Sequence, residues 1–92
     1  MTEPVRRTLQ IVNEKGLHAR ASAKLVEVVE DHDAEAEVSR EGQVAAGDSI
    51  MGLLMLAASK GTSIEVETTG ADAVRLADAL ESLVANRFGE DY

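Results

Sequence analysis

The 92-residue chain has no cysteine, no tryptophan, one phenylalanine and one tyrosine. Without cysteine there is neither a disulfide nor a thiolate metal site. With so few aromatics the core must be built from Val, Leu, Ile, Ala and Met, and no platform exists on which nucleic-acid bases could stack. Basic charge is scarce too. Nine Lys and Arg stand against seventeen Asp and Glu, a net charge of −8, which argues against nucleic acid as a partner. No apolar run reaches transmembrane length, and Met1-Thr2-Glu3-Pro4 lacks the apolar stretch of a signal peptide. The expectation is a cytoplasmic protein without membrane insertion, a single domain over 1–92 with one modest core.

The charge that is present is unevenly placed. From Met1 to Val26 five basic residues (Arg6, Arg7, Lys15, Arg20, Lys24) meet two acidic ones, a balance of +3, whereas four basic and fifteen acidic residues from Glu27 onward give −11. The positive segment contains Lys15-Gly16-Leu17-His18-Ala19-Arg20-Ala21-Ser22, where an extended stretch passes into an alanine-rich one. Asn13 and Gly16 end the strand pattern, and Ala19 to Glu30 reads as helix, with Ala21, Leu25 and Val28 or Val29 at helical spacing and Ser22, Glu27 and Glu30 between them. His18 then falls at or just before the first turn, where backbone N–H groups lack intrahelical acceptors and the helix dipole is positive. Such a position binds anions. A histidine there is placed to accept a phosphoryl group, and the Arg20 guanidinium suits phosphate oxygens.

The rest of the chain divides cleanly. Val5 to Val12 reads as a strand, with Val5, Leu9 and Ile11 on one face and Arg6, Thr8 and Gln10 on the other. Asp31-His32-Asp33 is a polar connection, and His32 is expected to be an exposed loop histidine, without the further ligands a metal would need. Ala34 to Val38 alternates, Arg40-Glu41-Gly42 turns, and Gln43 to Ala46 returns, which makes a hairpin. Ile50 to Ala57 is apolar nearly all round and fits a short helix with Ser49 as N-cap, stopped by Ser59-Lys60-Gly61. Thr62 to Thr69 alternates again, with Ile64, Val66 and Thr68 opposite Glu65 and Glu67. Ala73, Leu76, Ala77, Leu80, Leu83, Val84 and Phe88 mark a final amphipathic helix of about four turns, ended by Gly89 before an acidic tail. The order is βαββαβα. Because each strand has one apolar face, the sheet should be antiparallel, with helices on one side and water on the other, an α+β two-layer arrangement. A ferredoxin-like module would share the order without the last helix.

Gly16-Leu17-His18-Ala19-Arg20 resembles the active-site motif of the HPr family, the phosphocarrier proteins of the bacterial phosphotransferase system, usually written Gly-Leu-His-x-Arg-Pro-Ala. Ala21 stands where the family commonly has proline, which loosens the start of the helix but leaves the histidine and arginine chemistry intact. Asp48-Ser49-Ile50-Met51-Gly52 resembles the family's second signature, Ser-Ile-Met-Gly. The resemblance spans essentially the whole chain and implies an open-faced β-sandwich, a four-stranded antiparallel sheet with three helices. It also implies a carrier rather than an enzyme: enzyme I phosphorylates the ring Nδ1 of His18, and His18 passes the group to an enzyme IIA-type acceptor. In organisms with HPr kinase/phosphorylase the serine of the second motif is a regulatory phosphorylation site, which implies that role for Ser49. Physically, a dianion there favours the helix N-terminus but alters docking by repulsion and desolvation.

In the short helix, Ile50, Met51, Leu54 and Met55 cannot all be buried, and an exposed Met-rich patch suits several partners. Leu17, Ala19, Ile50, Met51 and Leu54 are therefore the expected docking residues. Asp33-Ala34-Glu35, Leu53-Leu54-Met55-Leu56, Lys60-Gly61, Ile64-Glu65-Val66-Glu67 and the tail Phe88-Gly89-Glu90-Asp91 look more like the nitrogen-related branch, NPr, than the sugar-transport branch, and Glu27 and Glu30 replace lysines typical of enteric sugar-branch members. No metal-ligand cluster and no nucleotide loop occurs, so no cofactor is expected, and nothing demands more than a monomer. Two rivals remain beside the relay. A ligand-binding module would hold an anionic metabolite at Arg20 without needing His18, and a purely structural interaction protein would need only the Met51 patch.

Overall fold

The computed structural model describes residues 3–92. Strand β1 (Val5–Gln10) leads into helix α1 (Ala19–Glu30), followed by β2 (Glu35–Arg40), β3 (Gln43–Ala46), α2 (Ile50–Met55), β4 (Ser63–Thr69) and α3 (Ala73–Ala85). The strands form one sheet in the order β1-β4-β2-β3, every pairing antiparallel. This is the α+β open-faced sandwich the alternation implied, with the helices against one face. In β4, Ile64, Val66 and Thr68 are buried while Ser63 and Glu65 are exposed. Val66 lies opposite Val38 of β2, and Val38 opposite Ala45 of β3, so an apolar inward row runs across β4, β2 and β3 and meets Arg7 on β1. The outer face carries Glu35, Glu37 and Glu65, relieved by Arg6, whose Nε lies 2.7 Å from a Glu67 oxygen.

The core joins Ile11, Leu17, Leu25, Leu53, Leu56, Ile64, Leu76, Leu80, Val84 and Phe88. Burying a side chain of this size contributes roughly 1.5–3 kcal/mol, so the helices are held chiefly by what they press onto the sheet. Arg7 departs from the pattern. It shares the inward face of β1 but reaches the rim, where its guanidinium meets Asp78 at 3.0 Å and Glu81 at 2.6 Å on α3.

Two helix ends and the burial of one residue differ from the sequence reading. Helix α2 stops at Met55, ahead of Ala57, which turns into the left-handed region (φ +50°). The Arg40 guanidinium donates to the Leu56 carbonyl at 3.1 Å just past its end. Ser22, read as part of the polar face of α1, is fully buried, and its hydroxyl donates to the Leu17 carbonyl. Most consequential is the last helix, which ends at Ala85 instead of running on to Phe88. Arg87, Phe88 and Gly89 then form a 3-10 turn with left-handed backbone at all three (φ +57°, +54° and +80°). Left-handed geometry costs a non-glycine residue about 1–2 kcal/mol. Here that cost is offset by Phe88, which is driven completely out of water.

Removing that anchor should therefore be expensive. Phe88→Ala is expected to lower unfolding free energy by about 3–5 kcal/mol, seen in urea denaturation as a lower midpoint with an unchanged slope; a midpoint within error of the parent would show that the turn is not held by Phe88.

Candidate active site

His18 occupies the N-cap position of α1 in extended backbone (φ −75°, ψ −177°), and no side chain caps the helix. Its carbonyl accepts the first helical bond, from Ser22 N–H at 2.8 Å. The N–H groups of the opening turn thus point outward beside the imidazole, unclaimed by any capping side chain. The loop before it is fixed by contacts that leave no slack. Gly16 has φ +65°, and a Cβ there would collide with the Ala58 carbonyl oxygen and stand 2.9 Å from the Ser59 Cα. Leu17 N–H donates to that same Ala58 carbonyl at 2.9 Å. The Leu17 side chain is 4 % exposed, which corrects its expected place on the docking surface: it holds the loop down.

Asn13 is buried completely. Its Nδ2 donates to the Gly16 carbonyl at 2.8 Å and to Glu90 Oε1 at 2.9 Å, so both amide protons are used. The other Glu90 oxygen, Oε2, is hydrogen-bonded to His18 Nε2. A carboxylate only accepts, so Nε2 carries a proton, and in the neutral ring Nδ1 keeps its lone pair. The tail is strapped down on both sides: Lys24 Nζ donates to the Phe88 carbonyl at 2.6 Å, and Glu14 N–H to the Tyr92 carbonyl at 2.9 Å. The imidazole keeps 26 % of its surface accessible. Around it lies an open depression of about 850 Å³, lined by Glu14, Lys15, Ala19, Arg20 and Lys24 and by the tail from Gly89 to Tyr92. Arg20 is exposed and enters no ion pair or side-chain hydrogen bond among the described residues, so its guanidinium is at the disposal of an incoming anion.

Burial by itself raises the pKa of the Glu90 carboxyl. Hydrogen bonds from Asn13 and His18, with the charges of His18 and Lys15, outweigh that and hold it below the usual carboxylate range. Sequence reasoning set Glu90 aside as acidic tail and Asn13 as a turn residue, because neither the residue types nor their spacing signal a partnership 77 positions apart.

The second group of expected residues lies elsewhere. Ser49 caps α2, its Oγ accepting from Gly52 N–H at 3.0 Å. Met51 and Met55 are more than two-thirds exposed and Ile50 is also exposed, while Leu54 is half-buried. Helices α1 and α2 pack together, yet no residue of α2 lines the depression at His18. His32, expected to be freely exposed, is half-buried, and its Nδ1–H donates to the Val28 carbonyl at 2.7 Å. No cluster of His, Asp and Glu among the described residues could hold a metal, and no helix described is long and apolar enough to cross a membrane.

Comparison with known proteins agrees with this geometry. Residues 5–86 match the family model described as the PTS HPr component phosphorylation site. Phosphocarrier protein HPr of Cupriavidus necator is 45 % identical over 86 residues, covering 94 % of this chain and 97 % of that protein. Phosphocarrier protein NPr of Escherichia coli K12 is 40 % identical over 88 residues, covering 95 % and 98 %. Identity therefore does not sort the chain into the nitrogen-related branch that its segments suggested. The crystal structure of HPr from Thermoanaerobacter tengcongensis superposes with a TM-score of 0.90 at 30 % identity, covering 96 % of this chain and 99 % of that one.

The lowered Glu90 pKa fixes the sign of a pH effect. A carboxyl whose folded pKa is depressed adds stability above its unfolded pKa and loses it as pH falls through the lower folded value. Thermal melts of the parent and Glu90→Gln between pH 7 and pH 3 should show the parent ahead at neutral pH and the gap closing in acid. A gap that stays constant would mean the carboxylate charge is not what holds the tail.

Proposed function

The chain belongs to the HPr family of phosphocarrier proteins of the phosphotransferase system, carriers rather than enzymes, and on that premise we propose that His18 carries the phosphoryl group. The observation that supports this most is the setting of the imidazole. It sits at a helix N-terminus without a side-chain cap, with Nε2 engaged by Glu90, which leaves Nδ1 of the neutral ring free, beside an arginine that forms no ion pair among the described residues. Nδ1 then attacks the phosphorus of a phosphorylated donor in line with the leaving group. The outward N–H groups of the first turn of α1 and the Arg20 guanidinium receive the charge on the phosphoryl oxygens, where positioning and electrostatics supply most of the catalysis. Histidine suits the role because its neutral ring is nucleophilic near physiological pH and its phosphoramidate remains reactive enough to pass the group on.

The donor in this reading is enzyme I and the acceptor a histidine of an enzyme IIA-type protein, with the 92-residue chain acting as one monomeric cytoplasmic domain. Ala19, Ile50, Met51 and Leu54 form the apolar docking surface, and the proposed output is regulatory, of the nitrogen-related kind. Ser49 is a candidate for modification by an HPr kinase/phosphorylase. Its half-buried hydroxyl already caps α2, so a phosphate there would join a helix terminus that tolerates negative charge while repelling acidic partners beside Asp48.

Two experiments test the reading. Incubation with phosphoenolpyruvate, Mg²⁺ and an active enzyme I should add one phosphate by intact mass, lost in acid and absent from His18→Ala. Arg20→Ala should slow its acquisition by about 10- to 100-fold, the equivalent of one charge-assisted contact. No gain in the parent would sink the relay in favour of a reversible anion-binding module. For docking, Met51→Asp should raise the enzyme I concentration needed for half-maximal rate by roughly 10-fold, as expected when a charge enters an apolar contact, with the melting temperature unchanged. Equal half-saturation would remove α2 from the interface.

A further inference from the structure

We propose that Glu90 is a positioning residue for phosphoryl transfer, holding the His18 proton on Nε2 and balancing the positive charge the ring acquires when Nδ1 is phosphorylated. This rests on the reading of His18 as the phosphoryl acceptor. Its structural ground is independent of that reading: a side-chain carboxylate beyond the last helix, folded back across the chain and shared between Asn13 Nδ2 and His18 Nε2.

The carboxylate is held from several directions. Asn13 is wholly buried and anchored to Gly16, so the oxygen it binds has a fixed address. Phe88, two residues before Glu90, is fully buried, and its carbonyl is tied to Lys24 of α1. The Glu90 side chain is itself only 18 % exposed. A tail serving merely to complete the fold would not require an ionised group here, because burial opposes the charge. The charge persists because its two donors face it.

In the transfer the Nδ1–P bond forms as the donor's N–P bond breaks, and the donor imidazole leaves with its electron pair. No proton has to move on His18, because Nε2–H remains bonded to Glu90 throughout. The phosphorylated ring bears a positive charge delocalised over both nitrogens, and the carboxylate lies against the nitrogen that is not reacting. In onward transfer the Nδ1–P electron pair returns to Nδ1, and the ring leaves as the neutral Nε2–H form. The same contact therefore serves loading and unloading. It also restrains the ring through Nε2, in the depression that His18 and Arg20 line together. The logic is that of a carboxylate behind a catalytic histidine, where the acid fixes the tautomer and steadies the imidazolium.

Single-turnover phosphorylation by phosphorylated enzyme I, with Glu90→Gln, Glu90→Asp and Glu90→Ala beside the parent, tests this. Glu90→Gln keeps the shape but presents an amide that can donate to Nε2 and draw the proton to Nδ1. At saturating donor its rate should fall about 10- to 100-fold, as for loss of a hydrogen bond to a charged group, with half-saturation within about twofold of the parent. Glu90→Asp should recover most of that loss. Proton spectra with ¹⁵N-histidine should show, in the parent near neutral pH, a downfield slowly exchanging proton coupled to Nε2 of His18, missing in Glu90→Gln and Glu90→Ala. An unchanged saturating rate, or a change confined to half-saturation, would overturn the proposal and leave the tail a docking or folding element. Absence of that proton in the parent would overturn it too, whether or not the variants fold. Failure of the parent to take phosphate from an active donor would instead sink the relay itself, leaving the spectra to report on the Glu90–His18 pair.

Discussion

The packing of Gly16 against the Ala58 carbonyl governs how the functional end of the molecule is built. It brings two backbones so close that no Cβ fits between them, and it lets Leu17 N–H close a hydrogen bond across the gap. With Leu17 sunk into the core below, the next residue has little choice of direction. His18 emerges as the N-cap of α1, its ring over the depression and its carbonyl already in the helical ladder. A larger residue at position 16 would have to push the loop off the segment after α2, and the histidine would move with it. Ordering a reactive group through buried neighbours makes its geometry survive in an otherwise exposed loop.

A second constraint acts from the far end of the chain. Helix α3 could have continued, since nothing in the sequence between Ala85 and Phe88 forbids it. Instead three left-handed residues reverse the chain, at a local backbone cost outweighed by burying Phe88. The reversal returns the tail to the loop before α1, where Glu90 meets Asn13 and His18. Residues near positions 13, 18, 24 and 90 thus form one unit, and the burial of a single aromatic ring underlies the placement of a carboxylate that chemistry can use. The C-terminal tail and the loop before α1 converge on the histidine.

The electrostatic division follows the same geometry. Lys15, Arg20 and Lys24 gather around the depression, whereas the outer sheet face is dominated by glutamates. In the proposed reading an approaching phosphoryl group meets Arg20, exposed and without an ion pair among the described residues, beside Lys15 and Lys24, and that local positive charge attracts it. Exposed Ile50, Met51 and Met55 on the adjacent helix add an apolar area without contributing to the depression itself. In the proposed reading, recognition and chemistry would rest on separate elements, α2 and the start of α1, which pack against each other.

Much of this was legible from the residues in order. Period-two alternation located β1, β2 and β4, because each buries only one face, and the Arg40-Glu41-Gly42 turn located β3 as the return of a hairpin. The bounds of α1 and β3 and the N-cap at Ser49 followed from local signals of turn, cap and apolar spacing. His18 and Arg20 stood out because their position at a helix start is itself a local property. Less legible were Ser22, whose polarity hid its burial, and Leu17, whose apolar character fitted a docking surface and a core equally well. The end of α3 was misjudged because Phe88 keeps helical spacing while its backbone does not. What the sequence by itself determined was the order of elements, the one-sided sheet and the histidine at the mouth of a helix, since those depend on interactions within a few residues. What only tertiary structure decided was the company that histidine keeps. Asn13 and Glu90 are brought together by a left-handed turn and a buried ring, and a contact across 77 positions depends on the path of the whole chain rather than on any pattern within it.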